Sequence, residues 1–234
     1  MLARVTTIFL GALVTLVSLA GASSTAPATV QGTIVLRGQT PPPRKVRVTV
    51  DQYVCGAEKS AEDLIVAEKN NGVRYAVVWL ENPPAVPVED ASTTAVDMDQ
   101  KECMFAPRVV LLPPGGTVNF LNSDRLLHNL HSLSRANPSF NRTQPKGRTI
   151  PVRLSQPEII RLDCDLHSWM RGWVVVTEHP FYAVSNADGA FRLPPVPPGR
   201  YALRVWHEKL GTARKEIVVT EGATTPVVVE MTGG

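Results

Sequence analysis

Along the chain, apolar residues gather in short runs rich in β-branched side chains: Val30–Leu36, Val46–Val50, Val73–Leu80, Val109–Leu112, Val118–Leu121, Ile159–Leu162 and Trp173–Thr177. Pro, Gly, Asn or Asp bounds each run. Short strands set off by turn residues, with no long stretch of 3.6-residue apolar period, predict an all-β protein. An antiparallel sandwich or barrel fits them, with helix at most a minor component. Pro113-Pro114-Gly115-Gly116 reads as a hairpin or loop between two runs. Pro83, Pro84, Pro87 and the acidic, Thr-rich stretch up to Asp99 read as an irregular surface excursion, a poor place for chemistry.

From Glu178 the texture becomes turn, strand, turn, strand. Asn186-Ala187-Asp188-Gly189 precedes Ala190–Leu193, with the Asp-Gly pair of a tight hairpin, and Pro197-Pro198-Gly199 precedes Tyr201–Trp206 and two Val-rich strands. Asp188 and Gly199 are read as turn residues without further function, because a turn needs residues that tolerate its backbone angles. Over residues 180–231 the N-x-D-G-x-F-x-L and P-P-G-x-Y-x-L-x-V patterns resemble the carboxypeptidase regulatory-like (transthyretin-like) β-sandwich module. Four or five strands are fewer than the roughly seven of an immunoglobulin-type sandwich. The module is therefore expected to borrow Val30–Leu36 or Val73–Leu80, or to pack directly on the domain before it.

Charge and the N-terminus narrow the setting. The 234 residues carry a formal net charge of +3 with no Lys/Arg block, which gives no electrostatic case for nucleic-acid binding. Residues 1–22 combine Met-Leu-Ala-Arg, an apolar run from Val5 to Leu19 and the small-x-small sequence Ala20-Gly21-Ala22, the three parts of a secretory signal peptide. A membrane anchor is the competing reading, but Thr6, Thr7, Gly11, Thr15 and Ser18 interrupt the run and no basic stop-transfer flank follows it. A periplasmic or secreted protein without stable membrane insertion is expected, its cysteines in an oxidising compartment.

The chemistry concentrates in Asp163-Cys164-Asp165-Leu166-His167-Ser168-Trp169-Met170-Arg171-Gly172, where a thiol, an imidazole and a thioether recur every third residue. Soft sulfur with imidazole suits copper, and one Cys with two His and a weak axial Met is the blue-copper donor set. His128, 36 positions before Cys164, supplies the second imidazole. Zinc accepts Cys and His but a thioether is a poor zinc ligand, and an iron–sulfur cluster needs more thiolates. Taken singly, Cys164 and Met170 read more readily as core residues. Together with two histidines they read as a metal site.

Phe105-x-Pro107, Gly116-x-Val118-x-Phe120-x-Asn122, His128-Asn129 and Cys164-x-x-His167-x-x-Met170 resemble the cupredoxin (plastocyanin/azurin-type) family, and at the copper loop most of all the amicyanins. The resemblance implies a cupredoxin-type antiparallel β-sandwich over residues 28–178, followed by the small module over 179–234. It implies one copper ion held by His128, Cys164 and His167 in a plane with Met170 axial, and Asn129 bracing the ligand loop. His167 is implied to reach the surface through an apolar patch, with Trp169 as the candidate for docking a redox partner. A core position for Trp169 is the equal alternative.

His131, an odd three positions from His128 along a strand, faces the opposite way and is read as a surface or hydrogen-bonding residue. His179 and His207 lack ligand company and read as structural or exposed, and the Asn141-Arg142-Thr143 sequon is treated as a chance match. With Cys164 on the metal, Cys55 and Cys103 are expected to form a disulfide. A second metal or redox pair is the rival, without a C-x-x-C signature to support it.

Four protein ligands leave no open coordination position, so the expected function is not enzymatic. It is an exported type 1 (blue) copper protein for electron transport, cycling Cu(II)/Cu(I) between transient redox-protein partners. The alternatives are a periplasmic copper carrier or buffer, and a structural β-sandwich interaction protein.

Overall fold

The computed structural model of the protein describes residues 28–86 and 91–233. The signal segment at 1–22 lies outside them. The described chain is β throughout apart from the four-residue helix Gln52–Cys55 and a short 3-10 turn at Ala91–Thr93.

Two sandwiches are built around separate cores. In the first, the strand Thr117–Asn122 alternates strictly between partly exposed and buried positions, as a half-buried strand should. Its sheet runs in the order Ile150–Arg153, Thr117–Asn122, Ala95–Lys101, Met104–Ala106. The facing sheet runs Phe140–Gln144, His128–Ser132, Glu158–Asp163, Arg171–Val176, Val109–Leu112. Between them lie Met98, Phe105, Val118, Phe120, Leu130, Ile160, Leu162 and Val174, all buried.

In the second sandwich, Thr29–Arg37 pairs with Ala190–Arg192, Gly72–Val73 and Thr224–Thr232, and the facing sheet runs Tyr182–Val184, Val77–Glu81, Gly199–His207, Gly211–Val219. The strands past Glu178 thus take partners from both N-terminal runs, Val30–Leu36 and Val73–Leu80. The Asn186–Gly189 turn needs its glycine: Gly189 has φ +75°, and a Cβ there would lie 2.4 Å from the Ile34 carbonyl oxygen. A third apolar cluster of Val77, Val109 and Val175, flanked by Trp79, Trp173 and Trp206, joins the two sandwiches. Arg108, buried beside it, is paired with Glu208 at 2.6 Å across the same junction.

The structure departs from the sequence pattern in three places. The sandwiches are mixed rather than purely antiparallel: Thr29–Arg37 with Thr224–Thr232, Ala95–Lys101 with Thr117–Asn122, and Val109–Leu112 with Arg171–Val176 run parallel, each joined through long intervening chain. The stretch before Asp99 is no excursion from Ala95 onward but a strand, its inward positions taken by Met98 and Gln100. The run 73–80 is two strands, Gly72–Val73 and Val77–Glu81, split where Tyr75 takes φ +66° and the chain crosses from one sheet of the second sandwich to the other. Of the two forms expected for Pro113–Gly116, hairpin or loop, it is a loop between sheets, since the strands on either side pair elsewhere.

Candidate metal centre

The strand pairing explains how distant residues converge. His131 lies opposite Asp163 in the antiparallel register, so the start of that strand, His128, falls beside the loop that follows Asp163. That loop folds on itself through three main-chain hydrogen bonds. His167 N–H donates to the Cys164 carbonyl (3.3 Å), Met170 N–H to that of His167 (2.8 Å), and Cys164 N–H to that of Met170 (3.2 Å). The turns place Cys164, His167 and Met170 on one inward-facing corner, exposed by 2%, 0% and 1% respectively, with His128 at 0%.

The donor atoms meet there. His128 Nδ1 and His167 Nδ1 are 3.1 Å apart, and Cys164 Sγ lies 3.6 Å from the second and 4.0 Å from the first. Two nitrogens about 2.0 Å and a sulfur about 2.3 Å from a common ion are separated by roughly 3–4 Å, so the three atoms fit one metal. The other ring nitrogens are already engaged: His128 Nε2 bonds Asp124 Oδ2 at 2.7 Å and His167 Nε2 bonds Asp51 Oδ2 at 3.0 Å. An ionised carboxylate only accepts, so each Nε2 carries its proton and the two Nδ1 atoms are left facing each other and the sulfur.

Electrostatics point the same way. Burial disfavours the Cys164 thiolate, but His128, His167 and the N–H groups of Asn129 and Leu166 outweigh it and bring the thiol down to about 6. Asp124 is held below the usual carboxylate range: burial opposes its charge, and the His128 bond with the N–H groups of Cys103 and Glu102 overcomes that. The surroundings of Cys164 therefore favour the thiolate, the form that binds metal.

Asn129 ties the ligand segments together. Its N–H points at Cys164 Sγ (3.3 Å), its Oδ1 accepts from Asp165 N–H (3.0 Å), and its Nδ2 donates to Asn141 Oδ1. Asn141 in turn donates to Asp165 Oδ2 at 2.7 Å, and His131 bonds Asp165 Oδ1 at 2.8 Å from a partly exposed position. The sequon asparagine is thus a structural member of the brace. His179 and His207 serve the second sandwich, the first bonded to the Leu80 carbonyl and the second accepting Lys209 N–H.

Cys55 and Cys103 form the disulfide, with Cα atoms 5.5 Å apart. Trp169 is 8% exposed; its indole N–H donates to the Cys103 carbonyl at 3.1 Å and its ring sits 5.1 Å from that of His167. It is a core residue. His167 does not reach solvent either, because Asp51 stands over its Nε2 edge. The exposed apolar residues near the centre are instead Val50, Tyr53, Leu127 and Leu166, around a depression whose lining includes Asp51. Asp51, Asp124 and Asp165 escaped the sequence reading. Asp124, four residues before His128, carried a local signal, whereas Asp51 acts across 116 positions and carried none.

Residues 173–232 match the family model of the carboxypeptidase regulatory-like domain. The match starts within the Arg171–Val176 strand, which belongs to the sheet that carries the loop with Cys164, His167 and Met170. A comparison with curated protein sequences returns no significant match. Among solved structures, the chain is similar to a copper-containing nitrite reductase from Thermus scotoductus SA-01, at 23% identity and a TM-score of 0.35, over 42% of this chain and 26% of that one. It is also similar to a purple cupredoxin from Nitrosopumilus maritimus (20% identity, TM-score 0.31, 35% of this chain and 98% of that one). A third is an oxidised point mutant of amicyanin (19%, 0.33, 43% and 98%). These likenesses are partial, and the reading of the centre stands on its own donor atoms.

Proposed function

We propose that this chain is an exported type 1 copper protein that passes single electrons between redox partners. The observation that carries the reading is the convergence of Cys164 Sγ with His128 Nδ1 and His167 Nδ1 within 4.0 Å, on a closed loop that also buries Met170. A copper ion bound there would supply a one-electron Cu(II)/Cu(I) couple. His128, Cys164 and His167 would hold it, with the buried Met170 thioether as the candidate fourth donor. The chain's part is to fix these donors before the ion arrives: the main-chain turns set the spacing, Asn129 orients the thiolate, and two carboxylates orient the imidazoles. A rigid donor set needs little rearrangement when the charge changes, and a closed one excludes substrate and water.

The disulfide supports an oxidising compartment such as the periplasm. A copper carrier or buffer must surrender its ion, and four donors exposed by no more than 2% argue against that alternative. A partner would dock at the depression ringed by Tyr53, Leu127 and Leu166, the apolar surface nearest the centre, through a small transient contact. The division into a copper-binding sandwich and a regulatory-like module belongs to the same proposal, with Thr29–Arg37, Gly72–Val73 and Val77–Glu81 completing the module rather than the copper-binding sandwich expected over 28–178. Voltammetry of the copper-loaded protein tests it: a reversible one-electron wave is expected. An irreversible wave, or turnover of oxygen or nitrite by the purified protein, would sink the carrier reading.

A further inference from the structure

Asp51 opens the short helix Gln52–Cys55 in the left-handed region, at φ 52° and ψ 33°, yet its side chain makes no capping hydrogen bond. An aspartate at this place ordinarily caps its own helix with its carboxylate. Here the backbone carbonyl alone takes Val54 N–H and Cys55 N–H, at 3.0 and 2.9 Å, and the carboxylate is turned to His167, 116 positions away. Left-handed backbone at a residue other than glycine is strained and persists only where its surroundings hold it.

Three contacts hold it. Gln52 Nε2 donates to the Val48 carbonyl at 2.6 Å, closing the segment on itself. Cys55, four residues on, is bonded to Cys103. The Cys103 carbonyl accepts the Trp169 indole, whose ring packs on His167 from another side. Asp124, the carboxylate on His128, accepts Glu102 N–H at 2.7 Å and Cys103 N–H at 2.8 Å. The disulfide therefore joins the segment that orients one imidazole to the turn that orients the other.

We propose that Asp51 is the positioning residue of His167: it fixes the Nε2–H tautomer that turns Nδ1 to the metal, and it forms a lid between that imidazole and solvent. The proposal rests on the metal-centre reading. A negative charge bonded to a ligand imidazole makes that ligand more electron-rich, which favours the more highly charged metal state. The carboxylate, whose side chain is 37% exposed, becomes the outermost group between His167 and the Tyr53–Leu166 depression, so charge leaves or enters beside it.

Two substitutions separate the roles. D51G removes the carboxylate and suits the left-handed backbone; D51N keeps an acceptor and removes the charge. In the zinc-loaded full-length protein, exchange of the His167 Nε2 proton with water, followed by NMR, is expected to quicken at least about tenfold in D51G and to stay near wild type in D51N. In the copper-loaded protein both variants are expected to shift the Cu(II)/Cu(I) equilibrium about tenfold toward Cu(I), a rise of about 59 mV for one electron. Unchanged proton exchange in D51G, with the disulfide intact by thiol titration, would overturn the lid. Unchanged potentials in both would overturn the charge effect. The zinc experiment needs no copper chemistry, so failure of the blue-copper reading shows separately, as a wild-type protein without a thiolate-to-copper band.

Discussion

His128 and His167 face each other Nδ1 to Nδ1 at 3.1 Å, and each has its outer nitrogen bonded to an aspartate. In the proposed centre, the groups behind the two imidazoles prepare them for the metal. Carboxylates fix which nitrogen of each ring is free, and one disulfide anchors the segments that bear or hold both carboxylates.

Asp124 is the more deeply buried of the two and accepts from Glu102, Cys103 and His128. Replacing it by alanine leaves these donors unpaired in the core, and each such loss costs about 1–3 kcal/mol. Asp124→Ala is expected to lower the stability of the metal-free protein by about 3 kcal/mol, read from urea denaturation. Metal affinity should fall roughly 10- to 100-fold. A wild-type midpoint would show that the carboxylate is not holding the 102–103 turn.

Removing the disulfide tests the anchor. Cross-linking across 48 positions restricts the unfolded chain by about 4 kcal/mol. The Cys55→Ser, Cys103→Ser double variant is expected to lose about that much in denaturant unfolding while keeping Cys164 free to bind metal. Retention of full stability would show that the native contacts around Asp51 and Cys103 need no cross-link.

Glu158 reports the acid limit of the fold. Burial opposes its charge, but Ser134 Oγ and the N–H groups of Arg135 and Asn137 all donate to it and hold the carboxyl at about 2, below its ordinary 4.5. A depressed folded-state value means a contribution fully present above about 4.5 and lost as pH falls toward 2. Stability measured down that range should decline. Glu158→Gln should be less stable at neutral pH and show a shallower decline. Equal slopes would contradict the assignment.

Much of this was legible beforehand, for a physical reason. Cys164, His167 and Met170 share one loop, so their spacing alone placed them together, and the β-branched runs announced their strands because burial demands such residues. The Ala95–Lys101 strand was hidden because Asp97 and Asp99 occupy its outer face and a buried polar residue, Gln100, takes an inner place, paired with Gln144 at 2.6 Å. Asp51 was invisible because its partner lies in another sheet's loop. Trp169 was ambiguous because a tryptophan beside a ligand serves core and surface alike, and only the Cys103 carbonyl decides between them.

The most direct test is the visible and electron paramagnetic resonance spectrum of the Cu(II)-loaded protein beside its Cys164→Ser and Cys55→Ser variants. The account predicts an intense thiolate-to-copper band in the wild type that disappears in Cys164→Ser and survives in Cys55→Ser. A colourless wild-type protein that takes up zinc as readily as copper, or a band that persists without the Cys164 sulfur, would contradict it.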